Sequence, residues 1–142
     1  MTGPRRCETD RAERTEQLGI ELAQTLAPGD VVLIEGEIGA GKTTFVRGAC
    51  RALGVTAIVS SPTFTIGQRY EAPVTVAHLD LFRLENLDDE DPALLDDYVG
   101  PDMITFIEWP GAVQKRLAGL EVRLRRVRLE HAGGDRRTVV LG

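Results

Sequence analysis

Gly36-Glu37-Ile38-Gly39-Ala40-Gly41-Lys42-Thr43-Thr44 fits G-x-x-x-x-G-K-[ST], and no other stretch constrains this 142-residue chain as tightly. The pattern is that of a loop holding nucleotide phosphates. Glycines let successive backbone N–H groups turn inward around an anion, because they tolerate backbone angles that a Cβ disfavours. Lys42 adds a mobile positive charge for the outer phosphates, and the Thr43 hydroxyl can ligate Mg²⁺. Upstream, Val31-Val32-Leu33-Ile34 is a continuous apolar run, as in a parallel strand covered on both faces. Downstream, Phe45, Ala49 and Leu53 recur every fourth residue, and Val46 and Cys50 widen the stripe. That periodicity predicts a helix from near Lys42 to Gly54. Strand, glycine loop and helix in this order set the helix N-terminus against the phosphates. The expected nucleotide contacts are Glu37, Ile38, Gly39, Ala40, Gly41, Lys42, Thr43 and Thr44.

A second acidic position belongs to the same chemistry. Met103-Ile-Thr-Phe-Ile107 is an apolar strand closed by Glu108-Trp109-Pro110-Gly111, and an acid there can reach a Mg²⁺ beside the glycine loop. Val74 to Leu79 is a further strand with Asp80 at its C-terminal end. If these strands neighbour the one ending at Gly36, both carboxylates face the crevice at the C-terminal edge of a parallel sheet, where ligands bind. His78 lies two residues before Asp80 on the same face and reads as a packed strand histidine.

The remaining segments supply covers and edges. Asp10 with Glu13 resembles a helix cap, and Leu18, Leu22, Ala23 and Leu26 give an apolar stripe that Pro28-Gly29 stops, predicting a helix over 11–27. Its role is to cover a sheet face; residues near Thr9 to Thr15 are also candidates to touch a nucleotide base. Ala57-Ile58-Val59 reads as a short strand before the Ser60-Ser61-Pro62-Thr63 turn, and 64–70 as another. Seven acids fall between Glu85 and Asp97, where a helix over 91–98 would turn Leu94, Leu95 and Tyr98 inward. At the end, Leu120, Val122 and Leu124 keep one parity and Val127 and Leu129 the other, which suggests a β-bulge at Arg125-Arg126. Gly133-Gly134-Asp135 then turns the chain into 138–141, and arginines 123, 125, 126 and 128 are expected to line a wet edge.

Composition narrows the classes further. The net charge is −5, although residues 114–142 carry eight basic and three acidic side chains. Total acidity argues against a protein that wraps nucleic acid by itself, so no DNA is expected as a partner. Two cysteines, Cys7 and Cys50, give neither a disulfide framework nor a metal spacing, and Cys50 sits on the apolar face of the loop helix. No run is long enough to span a membrane, and Met1 to Asp10 lacks the apolar stretch of a signal peptide, so a cytoplasmic protein is expected. The fold expected is a single α/β domain over 1–142, with 1–8 flexible. It is a three-layer P-loop NTPase-type fold: a mostly parallel central sheet, helices on both faces and a C-terminal antiparallel strand pair.

Four segments in this order resemble one family: GEIGAGKTTFVRG over 36–48, Ser61-Pro62-Thr63-Phe64-Thr65, His78-x-Asp80-x-Phe82-Arg83-Leu84 and Glu108-Trp109-Pro110. Across about 9–111 the chain is similar to the TsaE family, bacterial ATPases serving biosynthesis of threonylcarbamoyladenosine in tRNA. The resemblance implies ATP with Mg²⁺, hydrolysed in a complex with TsaB and TsaD, with tRNA contacted indirectly or weakly. It implies Thr43 and Glu108 as metal ligands, Asp80 as the residue orienting or deprotonating water, and Thr63 in a switch segment near the γ-phosphate. Trp109 would lie close enough to report on the nucleotide. Phe82 stands where the family usually has Tyr, and the acidic stretch 91–98 departs from the usual pattern. Two other classes fit the loop: a small-molecule kinase, and a nucleotide-dependent regulatory binding module. Arg51, Arg69 and Arg83 are the arginines between the loop helix and Glu108, with no insertion large enough for a kinase lid. No obvious arginine finger is present, so hydrolysis is expected to be slow without partners.

Overall fold

The computed structural model describes residues 4–59, 67–82 and 92–142, the side chains of 92–94 and 112 excepted. In chain order it places β1 (Arg5–Thr9), α1 (Ala12–Ala23), β2 (Asp30–Gly36), α2 (Lys42–Ala52), β3 (Gly67–Tyr70) and β4 (Thr75–Asp80). Then follow β5 (Met103–Glu108), α3 (Gln114–Ala118), β6 (Arg123–His131) and β7 (Arg137–Leu141), with 3₁₀ turns at Pro92–Asp97 and Pro110–Ala112. The strands form one seven-stranded sheet in the order β1-β7-β6-β2-β5-β4-β3. Its centre, β6-β2-β5-β4, is parallel, while β3, β7 and β1 join through antiparallel pairings. The expected mixed α/β architecture is present, including the antiparallel C-terminal pair.

Strand alternation divides the core between the two faces. Val32, Ile34, Val76, Ile104 and Phe106 pack with Leu18 and Leu22 of α1 and Phe45, Val46 and Ala49 of α2. Val31, Leu33, Leu79 and Ile107 pack on the opposite face with Leu95, Val99, Val113 and Leu117. β2 can be apolar throughout Val31 to Ile34 because both its faces are covered. α2 starts at Lys42 and stops where Gly54, at φ +93°, lets Gly54 N–H bond Arg51 O and Val55 N–H bond Cys50 O. This is the glycine-closed end that the sequence implied.

Several local expectations are corrected. Residues 5–9, assigned mostly to a flexible terminus, form β1 and pair with β7 from Arg5↔Leu141 to Thr9↔Arg137. Asp10 is not the cap: α1 begins after an extended Arg11, with no side-chain cap bond, and Thr9 and Thr15 staple strand to helix by a 2.9 Å hydroxyl bond. α1 ends at Ala23 rather than 27; the Thr25 hydroxyl donates to Leu22 O at 2.7 Å, a side-chain competitor for the helical carbonyl. Residues 57–59 form no strand: Ile58 is 89% exposed and Arg47 Nε holds Val59 O at 3.2 Å. Of the predicted strand 64–70, Gly67–Tyr70 is a strand and 64–66, like the 60–63 turn, lie outside the described residues; 92–97 is a 3₁₀ turn with Leu95 buried and Tyr98 partly so, the Leu94 side chain lying outside the description.

β6 overturns two expectations together. Its register with β2 runs unbroken from Asp30↔Arg123 to Gly36↔Leu129, without a bulge. It also lies between β2 and β7, so its arginines do not line an edge. The parity change has another cause. Val122 packs on the α3 side, whereas Val127 and Leu129 pack beneath α1 and α2, so helix cover passes from one face to the other along a regular strand. No helix among the described residues is long and apolar enough to cross a membrane.

Candidate functional site

β4 and β5 each lose their apolar character as they emerge from under α2. Val76, His78 and Asp80 share one face of β4, beside Ile104, Phe106 and Glu108 of β5. The register pairs Asp80 with Glu108, and Glu108 with Ile34 of β2, so both acids reach the strand ends next to the glycine loop. The assumption that these strands neighbour β2 holds for β5, which pairs with it; β4 lies one strand further out, beyond β5, and Asp80 reaches the site through its pairing with Glu108.

From Gly36 the chain turns through Gly39 (φ +79°) and Gly41 (φ +95°) into α2. Both conformations favour glycine. The first turn of α2 presents the N–H groups of Lys42, Thr43 and Thr44, which have no intrahelical acceptor. Lys42 is buried, its ammonium donating to Gly36 O at 2.8 Å and Glu37 O at 2.7 Å. Burial lowers its pKa, while Glu108, Asp80 and Glu37 pull the other way. Trp109 covers it: the indole centroid lies 4.2 Å from Nζ, and the Phe82 ring packs against the indole at 4.9 Å, tilted by 53°. Trp109 takes φ 58°, ψ 62°, a left-handed conformation costly for a non-glycine residue. In that conformation the ring lies over the loop lysine.

Glu108 is 2% exposed yet ends a strand. The Thr43 hydroxyl contacts both its oxygens, at 3.2 Å (Oε1) and 3.0 Å (Oε2), and His78 Nε2 lies 2.5 Å from Oε2. Asp80 Oδ1 accepts the Phe82 N–H at 3.1 Å. Gly39, Gly41, Lys42, Thr43, Thr44, Asp80, Glu108 and Trp109 thus share a crevice of about 420 Å³, with Ile38 71% exposed at its mouth. Glu37 takes part through its carbonyl, and Ala40 is buried under the loop. Thr63 lies outside the described residues. Among the described residues no group of three or more Asp, Glu, His or Cys side chains could cage a metal alone. One hydroxyl and one carboxylate oxygen pair are nevertheless the hard donors that suit Mg²⁺, which usually completes its shell with phosphate and water.

Two further contacts carry no signal in the sequence. Arg137 of β7 donates to Gly39 O at 3.0 Å, and His131 Nε2 lies 3.3 Å from Ile38 O. The C-terminal hairpin therefore grips the glycine loop from outside. Arg137 also lines, with Arg11, Glu13, Thr15 and Thr44, a second pocket of about 360 Å³ on the α1 side of the loop. No local pattern marks these residues, since 98 positions separate Arg137 from Gly39.

Comparisons with known proteins show the family. The family model described as threonylcarbamoyl adenosine biosynthesis protein TsaE matches residues 9–139. The chain is similar to the tRNA threonylcarbamoyladenosine biosynthesis protein TsaE of Bacillus subtilis, with 36% identity over 132 residues, 92% of this chain and 80% of that protein. It is 40% identical over 123 residues to the protein of the same name from Streptomyces coelicolor, covering 84% of this chain and 80% of that one. In three dimensions it is similar to the crystal structure of Bacillus subtilis YdiB, with a TM-score of 0.78 and 30% identity, covering 99% of this chain and 86% of that one.

Proposed function

The chain belongs to the TsaE family of tRNA threonylcarbamoyladenosine biosynthesis, and from that premise we propose that it is an ATPase of P-loop type acting with Mg²⁺. The observation that carries this reading is the strand register that sets Asp80 and Glu108 side by side at the mouth of the glycine loop. Lys42 and the first-turn N–H groups of α2 would take the β- and γ-phosphate charge; the Lys42 ammonium needs only to leave two carbonyls to do so. Thr43 and Glu108 would hold Mg²⁺. The bound ion would supply charge neutralisation at the phosphate oxygens. Asp80, steadied by the Phe82 N–H, would orient the attacking water from β4. Thr63, outside the described residues, would belong to a switch segment near the γ-phosphate. The pocket beside Arg11, Glu13 and Arg137 would receive the sugar and base, while Thr9 and Thr15 spend their hydroxyls on each other.

Among the described residues no arginine lines the crevice of Asp80 and Lys42. That supports slow hydrolysis by the isolated chain. TsaB and TsaD would be the accelerating partners, in a cytoplasmic setting, with tRNA reached through them. Calorimetric titration with the non-hydrolysable analogue AMP-PNP tests the site. Lys42→Ala should weaken binding between about tenfold and a hundredfold, the range for hydrogen bonds to charged groups. Wild-type affinity in that variant would remove the phosphate assignment. Phosphate release should rise when TsaB and TsaD are added; transfer of phosphate to a small acceptor instead would favour a kinase.

A further inference from the structure

His78 is fully buried on a face of β4 and β5, with apolar Val76, Ile104 and Phe106 beside and behind it and Asp80 and Glu108 ahead of it. An aliphatic side chain would fill that place without burying a polar ring. Its Nε2 is 2.5 Å from Glu108 Oε2, whereas Nδ1 has no hydrogen-bond partner among the described residues. The polar contact of this imidazole is therefore made at the carboxylate. Since a carboxylate only accepts, Nε2 carries the hydrogen and donates it. The same carboxylate faces Thr43 across the crevice.

We infer that His78 is a positioning residue for Mg²⁺ binding: by holding Glu108 Oε2 it fixes the carboxylate beside the Thr43 hydroxyl and leaves Oε1 free of the imidazole. This rests on the reading of Glu108 and Thr43 as the metal ligands. A glutamate has three side-chain torsions, and an unpinned one must lose that freedom when it engages the ion. Fixing one oxygen beforehand removes much of the loss. Outer-shell partners of this kind are worth about 10–100-fold in metal affinity. β4 would then serve the site twice, with Asp80 in the crevice and His78 one pleat behind it.

The test is the Mg²⁺ concentration at which AMP-PNP binding tightens, followed by calorimetry and by the fluorescence of Trp109, the single tryptophan. His78→Phe keeps a ring but loses the donor, and should raise that concentration at least about tenfold while leaving AMP-PNP affinity in EDTA unchanged. His78→Gln, whose amide nitrogen reaches the Nε2 position, should recover most of the metal response. His78→Asn, which is too short, should behave like His78→Phe. Thermal melting in EDTA without nucleotide reports folding separately, and the Gln and Asn pair decides the matter even if the Phe variant does not fold. Wild-type metal dependence in folded His78→Phe or His78→Asn, alongside a lost response in Glu108→Ala, overturns the inference. An unchanged response in Glu108→Ala instead overturns the ligand assignment beneath it.

Discussion

α1 and α2 cross with backbone against backbone, and replacing a glycine at that crossing measures how close they are. A Cβ on Gly48 of α2 would lie 2.2 Å from Glu16 O and 2.8 Å from Glu16 C and Cα. A Cβ on Gly19 of α1 would lie 2.2 Å from Phe45 O and 3.0 Å from Ala49 N. Each helix thus meets the other's main chain through its own glycine, and no side chain can rotate away to make room. To restore ordinary contact, α1 must retreat by roughly 1 Å, drawing Leu18 and Leu22 away from Phe45 and Ala49. Overpacking costs about 1–3 kcal/mol, and a rigid backbone clash belongs at the upper end. Alanine returns about 1 kcal/mol of helix propensity. The net for Gly48→Ala is therefore about 2 kcal/mol of destabilisation, or a Tm about 4–8 °C lower for a chain of this size.

Thermal unfolding followed by circular dichroism, without nucleotide, is the assay. Gly119→Ala is the control, because a Cβ there would first meet Arg116 O, at 3.6 Å. If Gly48→Ala melted at or above the wild type, helix propensity would dominate and the close crossing would carry no energetic weight. If both alanine variants fell by equal amounts, the loss could not be assigned to the contact with α1.

Removing the grip of β7 on the glycine loop should show in binding more than in stability: Arg137→Ala should weaken AMP-PNP binding by about tenfold, the scale of one charge-assisted hydrogen bond, with Tm nearly unchanged. Calorimetry and melting curves check both halves, and unaltered affinity would leave the hairpin a merely structural neighbour. Burial pushes the Cys50 thiol up to about 12 from 9.0, so its contribution to stability is complete below pH 9 and lost as pH rises toward 12. Urea midpoints should accordingly fall across that window in wild type and fall less in Cys50→Ala. At pH 8 a thiol reagent should label half-buried Cys7 in the native protein and Cys50 only on unfolding.

The candidate site was largely legible because its components are local signals. The loop, its strand and its helix are contiguous, so pattern and periodicity suffice for Lys42, Thr43 and the glycines. Asp80 and Glu108 each close an apolar strand, and a parallel sheet brings the C-terminal ends of neighbouring strands to one edge. What stayed hidden is what depends on pairs distant in the chain. The sequence marked His78 as a strand residue facing inward, but its contact with Glu108 exists only through the β4–β5 register. Arg137 and His131 lie beyond the motifs and reach the loop only because β6 pairs with β2 and β7 folds back on β6.

β6 shows why the same sequence pattern misled about its place. Alternating arginines are a usual guard on an exposed strand, yet this strand is paired on both sides. The resolution lies in which acids its neighbour offers. Asp30 of β2 is 4% exposed and receives Arg123 Nε at 2.5 Å, while Glu35, further along the same strand, receives Arg126 at 3.4 Å and Arg128 at 3.6 Å. The register Asp30↔Arg123 through Glu35↔Arg128 brings these groups together without bending either strand. Arg126 and Arg128 project on the face that α3 leaves open, so their pairs with Glu35 are solvated and contribute little energy. Arg123 instead meets a buried carboxylate that also accepts the Ala27 N–H at 2.9 Å, and it fixes the start of the β2–β6 ladder. A slip of one residue would leave Asp30 facing Leu124 and turn Val127 and Leu129 out from beneath α1 and α2. The cations that suggested an edge are thus compatible with an interior strand, because the buried acid and the apolar pair of β6 together admit one register.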